Sequence, residues 1–284
     1  MTSSKLHISN KNPQAIDFAL QQAANEGWNP GIHDRTPFKA ADPHGFFLAT
    51  RDEKPIGCAS AVCYNEHFAF FGFYIVISEF RGKGYGSQII KHSLETVKDH
   101  NIGLDGVIEN ESMYTKIGFQ TDFITQRYRI QSPGQTQHSL HPSLTPVNKV
   151  PFPLLSDYDQ HHFPAPRNEF LKAWISQPNY QGFAYIDNAT IKGYGLIRPC
   201  LKGYKIGPLF ADHKDIAKAI LEGLLSQIHQ TSVLIDIPLP NQQGLQLLSP
   251  FSPQKVFACA RMYTKSAPLL NLNNTFGLTS FELG

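Results

Sequence analysis

One stretch constrains this chain more than any other. It runs Phe70-Phe-Gly-Phe-Tyr-Ile-Val-Ile77, then Ser-Glu-Phe-Arg81-Gly-Lys-Gly-Tyr-Gly86, then a segment with Ile89, Ile90, Leu94 and Val97 at three-to-four spacing. The first part reads as an apolar strand and the last as a helix anchored by one face. A helix that starts from a glycine-rich turn aims unpaired backbone N–H groups and the positive end of its dipole at one spot. Gly82, Gly84 and Gly86 allow close backbone approach, and Arg81 and Lys83 add positive charge. The pattern calls for an anionic ligand, a pyrophosphate above all.

Three phosphate loops compete for this turn. The dinucleotide fingerprint G-x-G-x-x-G would start at Gly82, but Ser87 stands where its third glycine belongs. The nucleotide-triphosphate loop needs Lys-Ser or Lys-Thr after a glycine at fixed spacing, and none follows. The third pattern, Arg/Gln-x-x-Gly-x-Gly/Ala, is met in full by Arg81, Gly84 and Gly86. It marks the acetyl-coenzyme A loop of the GNAT superfamily of N-acetyltransferases, which this chain strongly resembles.

The order of elements carries the resemblance further. Lys5–Ser9 reads as a strand, Pro13–Gly27 as a helix capped by Asn12, and Gly45–Arg51 and Gly57–Tyr64 as strands around the turn Asp52-Glu-Lys-Pro55. Gly103–Ile108 follows as a strand, Asn110–Ile117 as a short helix and Gln120–Ile130 as the last strand. The fold expected from the family is α/β (α+β): a mixed, mostly antiparallel sheet flanked by helices.

The resemblance implies a site. The backbone of Tyr74, Ile75 and Val76 would bind the pantetheine arm, with the Val76 N–H polarising the thioester carbonyl. Arg81, Gly82, Lys83, Gly84, Tyr85, Gly86 and Ser87 would hold the pyrophosphate. Tyr114, in Tyr114-Thr-Lys-Ile-Gly118-Phe119, matches the family's tyrosine that protonates the departing thiolate, a task suited to a phenol of reference pKa about 10. Where relatives have a pantetheine-binding asparagine this chain has Val107, and Asn110 is the nearest substitute. The general base is open among Asp105, the first choice, Glu66 or His67, and His33 or Asp34. Trp28 and the segment to Asp34 fall in the region that lines the acceptor pocket in this fold.

After Ile130 the composition turns rich in Ser, Pro, Gln and His, and Gln131–Pro153 reads as a linker. The first half's pattern then recurs: strands at 182–186 and 191–195, a strand at 203–211, a helix at 215–229, a strand at 233–237, a helix at 241–248 and a strand at 256–263, with Thr275–Leu283 closing the sheet. The expected layout is a GNAT domain over 1–132, a linker over 133–150 and a diverged GNAT-like domain over 151–284. Phe210-Ala-Asp212-His-Lys-Asp215 stands where the first half has its glycines, and its carboxylates would repel a pyrophosphate. No coenzyme A is expected there. Tyr204-Lys-Ile-Gly-Pro-Leu209 resembles the two-domain bacterial YitH-like branch of the superfamily. Arg198, Tyr204, Lys205 and Asp236 are the polar strand residues placed to reach the acceptor, and an arginine there suits a substrate carboxylate.

Composition narrows the partners. A formal net charge of +2 over 284 residues gives no basic surplus for nucleic acid. The cysteines, Cys58, Cys63, Cys200 and Cys259, form no C-x-x-C pair and read as buried free thiols of a cytoplasmic protein. His161-His162 has no companion motif, so no metal is expected. No apolar run suits a signal peptide or a membrane span. The expectation is an acetyl-coenzyme A-dependent N-acetyltransferase acting on a small-molecule primary amine. A non-catalytic acyl-coenzyme A sensor and a protein N-acetyltransferase are the alternatives, and a homodimer through the second half is possible.

Overall fold

A computed structural model describes residues 5–133 and 140–284. Its first four strands, β1 (Leu6–Ser9), β2 (Phe46–Arg51), β3 (Lys54–Cys63) and β4 (Phe68–Val76), lie side by side and antiparallel. Asp52 and Glu53 turn β2 into β3 with φ of 50° and 64°, the twist a two-residue hairpin needs. Helix α1 (Ala15–Asn25) begins two residues later than the sequence suggests, because Asn12 Oδ1 accepts from the Gln14 N–H (2.9 Å) in a turn that precedes it. A short α2 (Arg35–Ala41), not anticipated, tolerates Pro37 because it sits in the first turn, where its missing N–H has no partner to lose.

The chain then forms α3 (Tyr85–Glu95), β5 (Asn101–Val107), α4 (Glu111–Lys116) and the long β6 (Gln120–Gln131). The second half gives β7 (Leu144–Pro146), α5 (Phe152–Gln160), α6 (Asn168–Trp174), β8 (Gln181–Asp187), β9 (Thr190–Pro199), β10 (Tyr204–Ala211), α7 (Lys214–Leu225), β11 (Ser232–Pro238), α8 (Gln242–Leu248), β12 (Gln254–Tyr263) and β13 (Thr275–Gly277). Part of the expected linker is therefore structured: β7 pairs with β8, Leu144 opposite Tyr185. Residues 134–139 lie outside the described part. Helices α5 and α6 were likewise not anticipated.

All the strands join one mixed sheet, ordered β1-β2-β3-β4-β5-β12-β6-β11-β10-β9-β8-β7, with β13 on β10. Only β4–β5 and β10–β11 are parallel. The two halves exchange their last strands. β12, from the second half, sits between β5 and β6, and β6, from the first, sits between β12 and β11. The centre thus reads β5-β12-β6-β11, which is the same read from either half.

Buried charge pairs cross between the halves. Arg127 on β6 faces Asp236 across to β11, with Nε and Nη2 donating to its two carboxylate oxygens at 2.7 and 2.8 Å. Arg261 on β12 and Asp105 on β5 repeat the arrangement at 2.8 and 2.7 Å. A third pair, Arg198 with Asp34, ties β9 to the start of α2 at 2.8 and 3.2 Å. All six side chains are buried. Such pairs yield little net stability, but breaking one from a single side strands a charge and costs several kcal/mol. They act as register pins between the halves.

Aromatic and aliphatic cores lie on both faces of the sheet, around Phe38, Phe73 and Trp174, around Leu209, Ile220 and Ile235, and around Phe71, Ile89 and Leu104. Cys58, Cys200 and Cys259 are buried thiols as expected, but Cys63 is exposed at the end of β3. Among the described residues no helix is long and apolar enough to cross a membrane, and no cluster of ligating side chains could hold a metal.

Candidate active site

The site grows from a divergence. β4 pairs with β5 only from Phe68–Asn101 to Phe71–Leu104, and beyond that the two strands separate. The cause sits in β4: its register against β3 shifts between Cys58 and Ser60, and Phe73 takes a φ of 48°. A bulge of this kind bends a strand away from its neighbour. A cavity opens in the gap, lined by Gly72, Phe73 and Tyr74 from β4, Asp105 and Val107 from β5, and Asn110 and Tyr114 beyond. The second half closes it with Phe257 and Cys259 on β12 and with Phe281 and Glu282 from the C-terminal segment, while Trp28 and Arg127 form its far wall.

Backbone polarity suits the gap. The Ile77 N–H donates to Ile56 O (3.0 Å), so Gly57–Val76 is a non-hydrogen-bonded pair of the antiparallel ladder. Val76 therefore turns its N–H and C=O away from β3, towards the gap, where Arg81 Nε donates to its carbonyl at 2.7 Å. Ile75 does the opposite: it faces β3, and its side chain is core. The expectation that Ile75 helps bind the pantetheine arm is thus corrected, since strand alternation leaves Tyr74 and Val76 for that role.

The loop after β4 is built as an anion cradle. Gly82 and Gly84 have φ of 73° and 80°, which a side chain rarely adopts, and nothing lies within 4 Å of where a Cβ would point. Gly84 caps α3 without any side-chain bond, so the amides of Tyr85, Gly86 and Ser87 start the helix unmasked. Gly86 lies under the Tyr74 phenol. Arg81 also meets Glu26, and Lys83 Nζ donates to Glu79 O (2.8 Å) over the Phe80 ring. A groove between α3 and α4, lined by Ser87, Ile90, Leu94, Met113 and Ile117, leads inward, and Tyr74 borders both groove and cavity. Cradle, groove and backbone gap together could hold a diphosphate outside and an amide-bearing arm within.

Tyr114 lines the cavity from α4. Its ring packs on Gly106 and meets Phe119 edge-on (6.1 Å). Burial pushes its phenol well above the usual value, with Tyr74 and Cys259 adding to the rise, so it carries its proton throughout the neutral range. Asn110 is exposed at the mouth of the cavity with its side chain uncommitted to capping α4.

The remaining sequence candidates divide. Trp28 walls the cavity, with its carbonyl held by Arg127 Nη1 (2.9 Å) and Lys205 Nζ (3.4 Å). Asp105 lines the cavity, but its carboxylate is wholly buried against Arg261. Burial pushes that carboxyl up and the guanidinium opposes it, but both oxygens are engaged, so the first choice of general base is set aside. Asp34 and Arg198, expected to meet substrate, neutralise each other instead, and the Gly31 N–H also donates to Asp34 (2.7 Å). His33 and Tyr204 are outside the cavity lining. Asp236 is taken by Arg127, and Lys205 is buried, its pKa pushed down by that burial and by Arg127. Glu66 and His67 pair at 3.3 Å, more than four-fifths exposed, at the opposite end of β4 from the gap.

Sequence reasoning missed Arg127, Phe257, Cys259, Phe281 and Glu282. The strand exchange brings the first three to the gap, and a tail crossing brings the others. One signal was available: each half places an aspartate in its parallel inner strand (Asp105, Asp236) and an arginine in its last strand (Arg127, Arg261).

Comparison with known proteins agrees with this geometry. Residues 6–119 match the model of the acetyltransferase (GNAT) family, and residues 155–277 match that of a second acetyltransferase (GNAT) domain. The chain belongs to the GNAT acyltransferases. It carries two GNAT domains in tandem and is an acyltransferase enzyme of a family that uses acyl-coenzyme A as cosubstrate. It is 29% identical to a holothin acyltransferase of Pseudoalteromonas sp. (strain SANK 73390) over 92% of this chain and 89% of that protein. It is 27% identical to the uncharacterized N-acetyltransferase YitH of Bacillus subtilis (strain 168), over 59% of each. Among solved structures, a putative acetyltransferase from Pyrococcus horikoshii shares the fold with a TM-score of 0.81 at 24% identity, covering 98% of this chain and 96% of that one.

Proposed function

We propose that this GNAT acyltransferase moves the acetyl group of acetyl-coenzyme A onto a primary amine of a small molecule by direct attack. The observation that carries the reading is the gap between β4 and β5, lined by Tyr74 and Tyr114, with the backbone of Val76 turned away from β3 further along β4. Acyl-coenzyme A, when bound, supplies an activated thioester carbonyl. The cradle from Arg81 to Ser87 would hold its diphosphate, and Tyr74, Val76 and Asn110 would hold its arm. A backbone donor at the carbonyl contributes about 3 kcal/mol to a transition state that develops negative oxygen. Tyr114 holds the proton that the thiol needs on leaving.

Enclosure supports a small acceptor. Trp28, Phe257 and Phe281 wall the cavity from three separate segments, which favours a small acceptor over an extended polypeptide. The similarity to a relative named for acyl transfer to holothin, over nearly the full length of both, also supports acyl transfer here. Thiol release from acetyl-coenzyme A across a panel of primary amines, free amino acids and peptides tests the reading. Turnover on small amines is expected, and turnover confined to peptides would overturn it.

A further inference from the structure

Glu282 is the one acidic side chain at the cavity that no arginine has claimed. It is 3% exposed, lines the cavity, and has a carboxylate oxygen, Oε2, with no hydrogen-bond partner. A buried carboxylate oxygen left without a donor is costly, so it calls for a partner such as a water, an ion or a ligand. The four buried aspartates of the interior, Asp34, Asp105, Asp159 and Asp236, each hold an arginine bidentately, whereas Glu282 belongs to none of these pairs.

Its position is fixed from both sides. The Leu278 N–H donates to Asp236 O (2.9 Å), and Arg167 Nη2 donates to Thr279 Oγ1 (3.0 Å). Past Glu282, Tyr64 donates its phenolic proton to Leu283 O (2.8 Å). The Glu282 carbonyl lies directly on Gly72, where a Cβ would come within 2.1 Å of it. The Glu282 backbone therefore stands at the bulge that opens the gap, and its side chain lines the cavity. Arg127, Arg198 and Lys205 act on it at longer range from β6, β9 and β10, with Asp105 on β5 and Cys259 on β12 as its other titratable neighbours. Around it the walls are aromatic: Trp28, Phe71, Phe73, Tyr74, Phe257 and Phe281.

We propose that Glu282 receives the proton of the acceptor's ammonium group, and that the acceptor is a primary amine carried on an apolar, aromatic body. The inference rests on the acyl-transfer reading above. An ammonium offers N–H donors to the bare oxygen, and aromatic faces favour both the cation and its hydrocarbon. The R–NH3+ group gives one proton to the carboxylate, and the freed lone pair forms the C–N bond as the C–S bond breaks. The sulfur takes the Tyr114 proton, the nitrogen's second proton restores Tyr114, and Glu282 returns its proton to solvent. Net, one amide, one thiol and one proton are formed.

The test compares the full chain with Glu282→Gln and Glu282→Asp, using benzylamine, 2-phenylethylamine and acetyl-coenzyme A. In Glu282→Gln, thiol release at neutral pH is expected to fall about a hundredfold or more, the usual scale for loss of a general base. Calorimetric binding of benzylamine to the coenzyme A-loaded protein should weaken about tenfold, as expected when one charge-assisted pair is lost. Coenzyme A affinity and melting temperature should stay at wild-type values. The rate deficit should shrink as pH approaches the amine's own pKa, where the nucleophile arrives already neutral. Glu282→Asp, charged but shorter, should fall between. Wild-type rates and amine binding in Glu282→Gln would overturn the inference while leaving the acyl-transfer reading intact. So would a wild-type protein that binds coenzyme A yet acylates neither arylalkylamine. Failure of the wild type to bind coenzyme A would instead bring down the functional reading, and this inference with it.

Discussion

The two halves open the same gap and use it differently. In the first, β4 leaves β5 after Phe71–Leu104, and the space becomes the cavity beside Tyr114. In the second, β10 leaves β11 after Ile206–Ile235, at a register shift of its own, and β13 enters the space, pairing Leu209 with Gly277 and Phe210 with Thr275. The chain's own strand lies there as the pantetheine arm would lie in the first half. The loop beyond completes the contrast: Gly82 and Gly84 make an open cradle, whereas Phe210 is stacked by His162 at 4.3 Å and Asp212 receives the Tyr158 hydroxyl. A duplicated fold can thus keep one slot for ligand and fill the other with tail. The same tail then carries Phe281 and Glu282 into the first half's cavity.

Four experiments would break or sharpen that contrast. The largest effect is expected at the pins that hold the exchanged strands. Asp236→Ala leaves Arg127 buried without its carboxylate and should cost about 4 kcal/mol in urea unfolding. Asp105→Ala should match it if the two pairs are equivalent, and a loss below about 1 kcal/mol at either would show that the pins are unequal.

Next comes the seal of the filled slot. Burial pushes the His162 pKa down to about 4, with Asp159 opposing and His161 and Arg167 reinforcing. A depressed histidine pKa means that the unfolded chain takes up the proton first. Stability is fully present above about pH 6.5 and falls as the pH drops through about 4, by up to about 3 kcal/mol. Chemical unfolding across that range checks the slope. His162→Phe should flatten it, and an unchanged slope would place its origin elsewhere.

In the open slot, Tyr114→Phe should lower kcat about a hundredfold while coenzyme A binding is kept. A rate within about threefold of wild type would remove Tyr114 from the proton path. The smallest effect belongs to the cradle. Gly84→Ala imposes about 1–2 kcal/mol of left-handed backbone strain where no atom crowds the new methyl, so coenzyme A should bind about tenfold more weakly. Asp212→Gly should gain no coenzyme A binding, because β13 fills the slot behind it.

Much of this was legible in the sequence because local chemistry controlled it. The loop from Arg81 to Ser87 and the helix after it follow from glycine conformation and apolar spacing, and the strands from β1 to β6 follow from alternation and turn residues. Long-range pairing was not legible. Nothing local tells Arg127 that it will face Asp236, or Gln254–Tyr263 that it will lie between β5 and β6, since a strand's composition is the same whichever half it completes. That is why Asp105 looked free to act as a base and Arg198 free to bind substrate: each has its partner in the other half. The tail was hidden for the same reason, because Thr275–Leu283 reads as a closing strand whether it caps an edge or fills a gap.

Calorimetric titration of the full chain with coenzyme A tests the contrast between open and filled slots most directly. The account predicts one equivalent per chain, with binding lost when Gly84→Asp places a carboxylate in the cradle. Two equivalents, or one that survives Gly84→Asp, would contradict it.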